Sequence, residues 1–267
     1  MSILPHCRLY DGKQSTLERC AVSPEDKIAV VLAAYNEQAN LALLLPRLCT
    51  VLEALGMPWE VVLVVDGNDG SKEWAERFAQ GFPAGRVRVF WSPRRRGFGN
   101  ALRQGFHLVS PDVTLVTTMD CDLNHRPEEL PRFLEAYRQT GAQMVVGSRY
   151  MQGGRVEALP FWKRWASRLT NRALPRLAGL PLTDITSNYR LYCRALTDRL
   201  AQVSRANDFS VAAETILQAA QWGAHIVEVP IAFQRRHSGA SKLPKLATTL
   251  GYLRLFAKHL WGRATAS

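Results

Sequence analysis

From Ile28 to Val146 the chain alternates short, almost purely apolar runs with longer segments of helical period, and few folds accept such a pattern. Ile28 to Ala33 and Glu60 to Val65 (EVVLVV) have strand length and are rich in β-branched residues. Between them, Glu37 to Leu55 sets Leu41, Leu44, Leu45, Leu48, Leu52 and Leu55 near helical spacing, and Gly56 and Pro58 stop it. The reading continues with a helix over Ser71 to Gln80, a strand over Val87 to Trp91 and a helix over Gly97 to Val109. A strand over Val113 to Thr118, a helix over Pro127 to Gln139 and a strand over Gln143 to Val146 complete the alternation. Strands that are apolar along their whole length are covered on both faces, which predicts an α/β domain with a mostly parallel central sheet flanked by helices.

In such a sheet, ligands bind beyond the carboxyl ends of the strands. Three polar clusters fall there: Tyr35-Asn36-Glu37, Asp66-Gly67-Asn68-Asp69-Gly70 and Asp120-Cys121-Asp122-Leu123-Asn124. All three are expected on one rim. After Val146 the alternation weakens. Helices are predicted over Phe161 to Leu177 and Ser210 to Trp222, with strands over Ser187 to Tyr192 and Ala224 to Val229.

Composition narrows the function classes. The chain of 267 residues carries a net charge of +11. Arg86 to Gly105 holds six basic and no acidic residues, Arg149 to Leu182 seven and one, Arg235 to Ser267 seven and none. Clustered positive charge calls for an anionic partner: nucleic acid, an anionic membrane surface or a phosphorylated substrate. The aromatic–basic motifs of RNA-binding modules are missing, and the acidic strand ends would repel a nucleic-acid backbone, so no nucleic acid is expected. No apolar run approaches the roughly 20 residues that span a bilayer, and the N-terminus lacks the pattern of a secretory signal, so a cytoplasmic globular chain is expected. Five scattered cysteines without a CxxC pair argue for free thiols.

Asp120-x-Asp122 is the strongest single motif. Two carboxylates flanking one residue at a strand end suit Mg²⁺ or Mn²⁺ shared with substrate phosphates, and Asn124 adds a neutral oxygen; a helix-capping loop is the alternative. Asp66 suits a nucleoside contact or a turn. The glycines of Arg96-Gly97-Phe98-Gly99-Asn100 would let helix amides approach an anion. Glu214 is a candidate general base for a hydroxyl acceptor or else a capping carboxylate, and His125 and His237 are either functional or polar filling.

Taken in order, Tyr35-Asn36-Glu37, the VVDGNDGS run from Val64, RGFGNALRQGF from Arg96, MDCDLNHRPEEL from Met119, GSRY from Gly147, DITSNYRLY from Asp184 and RHSGASKL from Arg236 resemble glycosyltransferase family 2 over residues 28–245. The nearest branch is the dolichyl-phosphate mannose synthase-like enzymes. The resemblance implies a GT-A fold and an inverting, metal-dependent transfer of a sugar from a nucleotide-diphosphate donor, GDP-mannose or a UDP-sugar, to a polyprenyl phosphate. It implies that Tyr35, Asn36, Glu37 and Asp66 contact the donor nucleoside. Asp120, Asp122 and Asn124 would hold Mg²⁺ or Mn²⁺ on the donor diphosphate. Arg149, Ser187, Arg190, Arg236, Ser241 and Lys242 would lie near the diphosphate and the acceptor phosphate, with Asp122, Arg149 and Arg236 closest to the chemistry. Three departures stand out: Ala33 replaces the usual proline, the loop after Asp66 is short, and TSNYR replaces the commoner TSGFR, which puts Asn188 at a glycine position.

Three segments are expected: an extension over residues 1–27, a catalytic domain over 28–241 and an amphipathic basic tail over 242–267. From Lys242 to Trp261 the tail lines up Leu243, Leu246, Leu250, Leu253 and Leu260 beside Lys245, Arg254 and Lys258. It either lies on an anionic membrane at the cytoplasmic face or packs on the domain. Other readings are a family 2 enzyme with a hydroxyl acceptor, a metal-dependent nucleotidyltransferase and a nucleic-acid-binding protein.

Overall fold

The expected alternation is present in the structure, a computed structural model that describes residues 8–10, 23, 25–157, 161–238, 251–252 and 254–257. After a short strand β1 (Arg8–Tyr10) come β2 (Ile28–Tyr35), α1 (Gln38–Ala54), β3 (Trp59–Asp66), α2 (Ser71–Ala79), β4 (Val87–Ser92), α3 (Phe98–Leu108) and β5 (Leu115–Asp120). A 3-10 turn at Pro127–Glu129 leads into α4 (Leu130–Thr140) and β6 (Met144–Ser148). Then follow β7 (Arg155–Val156), α5 (Phe161–Leu177), β8 (Arg190–Cys193), α6 (Arg194–Val203), α7 (Val211–Gln221), β9 (Ile226–Pro230) and β10 (Ala232–Phe233).

The main sheet runs β1-β9-β6-β8-β5-β2-β3-β4, and β7 pairs with β10 apart from it. β2, β3, β4 and β5 are parallel, as are β6 and β9; β8 runs antiparallel between β5 and β6, and β1 antiparallel on the β9 edge. Strand residues alternate between two cores, as the period of two requires. Ile28, Val30 and Leu32 of β2 join the α1, α2 and α4 side; Ala29 and Val31 join the α3, α6 and α7 side.

Three expectations need correction. The strand expected over Ser187 to Tyr192 begins only at Arg190, because the residues before it wrap around the Asp184 carboxylate, which accepts the backbone N–H groups of Thr186 and Ser187. Helix α6 was not expected: it follows β8 without a loop and without a side-chain cap. Part of the expected extension is β1, an edge strand of the sheet.

Ser241 and Lys242, with most of the expected tail, lie outside the described residues, as do Cys7 and Cys20. Residues 251–252 and 254–257 are helical. Phe256 is buried in the α3–α6–α7 core with Tyr252 and Leu255 against it, and the Tyr252 hydroxyl donates to the Phe209 carbonyl, so this stretch packs on the domain. Among the described residues, Cys49, Cys121 and Cys193 are buried and in no disulfide, and no helix is long and apolar enough to cross a membrane.

Helix α3 lies close on β2 because Gly105 faces Val31: a Cβ there would sit 2.2 Å from Val31 Cγ1. Val31 is β-branched and buried, so it turns aside poorly. Gly105→Ala should therefore lose roughly 1–3 kcal/mol in urea unfolding despite alanine's better helix propensity. Val31→Ala in the same chain should recover most of that loss. An equal loss in both backgrounds would show that the contact does not set the approach.

Candidate active site

Strand register brings the polar clusters together. Tyr35 pairs with Asp66 and Ala33 with Asp120, so the ends of β2, β3 and β5 share one rim. β6 and β9 end at the same rim, which carries Arg149 and the segment after β10 to it. Because β8 is antiparallel, its beginning is also there, bringing residues 184–188 to the rim.

Asp120 and Asp122 lie at the centre. Removal from water, followed for Asp122 by repulsion from Asp120, pushes both carboxyls up to about 6. Arg236 meets this charge: Nη1 is 3.3 Å from Asp122 Oδ2, and Nη2 donates to Glu37 Oε1. Its segment is pinned across the rim. The His237 N–H donates to the Asp122 carbonyl at 3.3 Å, the Gln234 N–H to the Asn124 carbonyl at 3.0 Å and the Ser238 N–H to Asn40 Oδ1 at 3.1 Å. Asn40 returns bonds to Ser238 and Glu37.

His125 supports Asp120 from beneath. Its Nδ1 accepts the Asp120 backbone N–H at 3.1 Å, and its ring lies against Tyr189 and Phe233. Burial lowers it to about 4, so the imidazole is neutral and its approach to Asp120 Oδ2 is no ion pair. This is structural filling, one of the two readings of His125. His237 contributes a backbone bond to Asp122.

A second basic post is Arg149. Nε donates to Asp184 Oδ2 at 2.7 Å, Nη2 to Asp184 Oδ1 at 2.9 Å and to Thr186 Oγ1 at 2.6 Å, and the backbone N–H also reaches Asp184. Burial opposes the Arg149 charge, but Asp184 outweighs it and holds the guanidinium above the usual arginine range. Burial likewise opposes the Asp184 charge, and Arg149 keeps that carboxyl below the usual range. Asp184 was not among the expected site residues; its signal was an acid two residues before Thr186 in a motif already singled out. Ser187 is near it but buried, donating its backbone N–H to Asp184.

At the ends of β2 and β3, Arg95 lies 4.7 Å over the Tyr35 ring. Asn36 adopts φ 53° and donates its N–H to the Asp66 carbonyl at 3.3 Å. Asp66 ends β3 as expected, yet its carboxylate is taken by Arg96 through the backbone N–H at 2.7 Å, Nε at 3.0 Å and Nη2 at 2.9 Å. A ligand arriving here meets an ion pair rather than a bare carboxylate.

Several other expectations are overturned. The glycines after Arg96 do not leave room for an anion: a Cβ at Gly97 would lie 2.5 Å from the Asn207 carbonyl oxygen and one at Gly99 2.0 Å from that of Ala206. The Gly99 N–H donates to the Asn207 carbonyl, so the loop itself caps α3. Glu214 is no base at the rim. It accepts the N–H groups of Arg205 and Ala206 at 2.9 to 3.0 Å and ties the same loop to α7. Arg190 is fully buried, donating to the carbonyls of Ser187 and Ile185 and to Thr215 Oγ1; it braces α7 and does not reach the rim. Asn124 donates its amide N–H to Asp122 Oδ2 at 2.7 Å and so braces that carboxylate.

The donor set fits a hard divalent cation. Two neighbouring carboxylates that burial makes reluctant to ionise gain from a +2 charge, and Mg²⁺ or Mn²⁺ takes its remaining ligands from water and phosphate. Among the described residues no group of three or more acidic, His or Cys side chains is arranged to hold a metal.

Two outcomes follow. Glu214→Ala should lose about 2 kcal/mol in urea unfolding, since charge-assisted bonds to buried amides are lost, while kcat of the folded protein stays near wild type. A large loss of kcat in Glu214→Gln with unchanged stability would restore the base. In the metal-free protein, Asp122 has a folded value of about 6 against an ordinary value near 4, so its stabilising contribution is present below pH 4 and lost as pH rises through about 6. With chelator present, Asp122→Asn should melt above wild type at pH 8, and the gap should close by pH 5. A constant gap would contradict the crowding.

Residues 29–201 match the model of glycosyl transferase family 2. The undecaprenyl-phosphate mannosyltransferase of Micrococcus luteus is 35% identical over 81% of this chain and 87% of that protein. The polyprenol monophosphomannose synthase of Mycolicibacterium smegmatis is 32% identical over 83% of each. In structure, glucosyl-3-phosphoglycerate synthase of Mycobacterium tuberculosis, solved with Mn²⁺, uridine diphosphate and glucosyl-3-phosphoglycerate, superposes with a TM-score of 0.63 at 20% identity, covering 89% of this chain and 80% of that one. That likeness is one of fold, the expected GT-A architecture. By the extent of the family match and the identity to these two relatives, the chain belongs to glycosyl transferase family 2.

Proposed function

We propose that the chain transfers mannose from GDP-mannose to a polyprenyl phosphate, with inversion at the sugar carbon. The observation that carries this reading is the acidic pair Asp120–Asp122 facing Arg236 on a rim that also carries Arg149, held by Asp184. It is supported by relatives named as undecaprenyl-phosphate and polyprenol-phosphate mannosyltransferases. A UDP-sugar is the alternative donor.

In the reaction an oxygen of the acceptor phosphate attacks the anomeric carbon, the bond from that carbon to the donor diphosphate breaks, and the nucleoside diphosphate leaves. Asp120 and Asp122 would hold Mg²⁺ or Mn²⁺, which when bound neutralises the charge growing on the leaving diphosphate. Arg236 and Arg149 add fixed positive charge at the same rim. Tyr35 and Asn36 line the side we assign to the nucleoside, where Arg95 over Tyr35 offers a cationic plane and the Asp66–Arg96 pair a polar edge; Glu37, expected there too, instead has its carboxylate taken by Arg236 and Asn40. Ser241 and Lys242 are assigned to the acceptor phosphate on the family resemblance alone.

A phosphate monoester already carries the attacking charge near neutral pH. A hydroxyl acceptor needs a base, and the candidate for it, Glu214, is bound to backbone amides. That observation ranks the lipid phosphate above a sugar hydroxyl. A lipid acceptor implies work at a membrane surface, and with no spanning helix among the described residues the basic clusters are the contact we assign, at the cytoplasmic face.

The test is product formation. Full-length protein, polyprenyl phosphate in anionic vesicles and Mn²⁺ are incubated separately with GDP-mannose and with UDP-sugars. Lipid-linked sugar is then followed by mass. GDP-mannose with Mn²⁺ should give the mannosyl phospholipid, and chelator should abolish it. Asp122→Asn should lower kcat by at least about 100-fold without altering the circular dichroism spectrum. Transfer only to a free sugar hydroxyl, or near-wild-type turnover in Asp122→Asn, would overturn the reading.

A further inference from the structure

Thr118 of β5 pairs with Arg190 of β8 in antiparallel register. Continuing that register past the strand ends sets Asn188 opposite Asp120, and residues opposite one another in an antiparallel pair project to the same face. The backbone at Asn188 is fixed there: its carbonyl accepts the Thr118 hydroxyl at 2.7 Å. Its side chain is buried, with 5% of the residue exposed. Nδ2 donates to Asp120 Oδ1 at 3.3 Å, while the amide oxygen is buried without a protein partner.

We propose that Asn188 is a positioning residue for the cation site, its amide fixing the direction in which the Asp120 carboxylate faces a divalent ion. The proposal rests on the reading of Asp120 and Asp122 as that ion's ligands. Asp120 is otherwise steered weakly. His125 Nδ1 is 3.6 Å from Oδ2, and its lone pair is used by the Asp120 backbone N–H, so it donates nothing to the carboxylate. Among the described residues, Asn188 is the side chain that donates a hydrogen bond to Asp120.

Packing alone does not account for the residue. A buried amide oxygen without a partner is unfavourable, and a glycine or alanine at this position would carry no such burden. What asparagine adds over a smaller residue is the N–H directed at Asp120. Outer-shell hydrogen bonds of this kind orient ligating carboxylates, and their loss commonly weakens metal binding 10- to 100-fold.

Mn²⁺ binding to the full chain, followed by electron paramagnetic resonance with GDP present, tests this without relying on turnover. Asn188→Ala and Asn188→Gly should each weaken Mn²⁺ binding about 10-fold. Their metal-free melting temperatures should stay level or rise, and affinity for GDP without metal should be unchanged. Wild-type Mn²⁺ affinity in both variants overturns the proposal. So does a fall in metal-free melting temperature that accompanies weakened binding, because Asn188 would then be a structural residue. Asp122→Asn is the control. If it abolishes Mn²⁺ binding while the Asn188 variants bind normally, only the positioning role fails. If Asp122→Asn also binds Mn²⁺ normally, the cation reading itself fails and takes this proposal with it.

Discussion

Carboxylate crowding at one end of the sheet is the constraint to which the rest of the structure answers. Parallel strands deliver Asp66, Asp120 and Asp122 to one rim, and the start of β8 adds Asp184. Charges placed so close in a partly dehydrated space repel one another by several kcal/mol unless countered. Asp66, Asp122 and Asp184 each meet a cation brought from another part of the chain, while Asp120, among the described residues, takes only the Asn188 amide. Arg96 serves Asp66 across 30 residues, Arg149 and Asp184 are 35 apart, and Arg236 reaches Asp122 across 114 and Glu37 across 199. The segment carrying Arg236 ties the residues after β2 to those after β5.

The brace behind the rim is made of groups that looked catalytic. Glu214 gathers the N–H groups of Arg205 and Ala206, and the loop so held offers its carbonyls to α3. Arg103 donates to Ala206 and Asn207, and Phe98 stacks on Phe209 at 4.5 Å. This fixes the start of α3, and with it Arg96 on Asp66. Arg190 does the same work below, joining residues 185 and 187 to Thr215 of α7. Charged residues committed in this way are costly to bury, and satisfying every donor and acceptor makes burial tolerable.

Period and strand-end position carried much of this into the sequence. Apolar runs marked β2, β3 and β5, and their polar ends marked Tyr35, Glu37, Asp66, Asp120 and Asp122. The partners of those residues were not legible, because pairing depends on the order of strands in space. Nothing local says that β8 runs antiparallel, yet that reversal places Asp184 and Asn188 at the rim. The glycines at 97 and 99 announce a close approach of backbone but not of which group, and a loop carbonyl satisfies the pattern as well as a phosphate does. Asn124 carried the right oxygen for a cation, but its amide nitrogen found Asp122 first.

The same geometry bears on the class of acceptor. A hydroxyl nucleophile must lose its proton to a group within hydrogen-bond reach, with a proton affinity suited to neutral pH. Of the candidates, Glu214 is bound to amides behind the rim, His125 is buried with Nδ1 engaged, and Asp184 is locked to Arg149. Asp120 and Asp122 have the proton affinity, near 6, but a cation bound between them would remove it. A nucleophile that arrives already ionised avoids the difficulty, and a phosphate monoester does so. What it requires instead is positive charge fixed in place before it binds. Arg149 and Arg236 meet that requirement, each held in direction by a carboxylate beside the acidic pair.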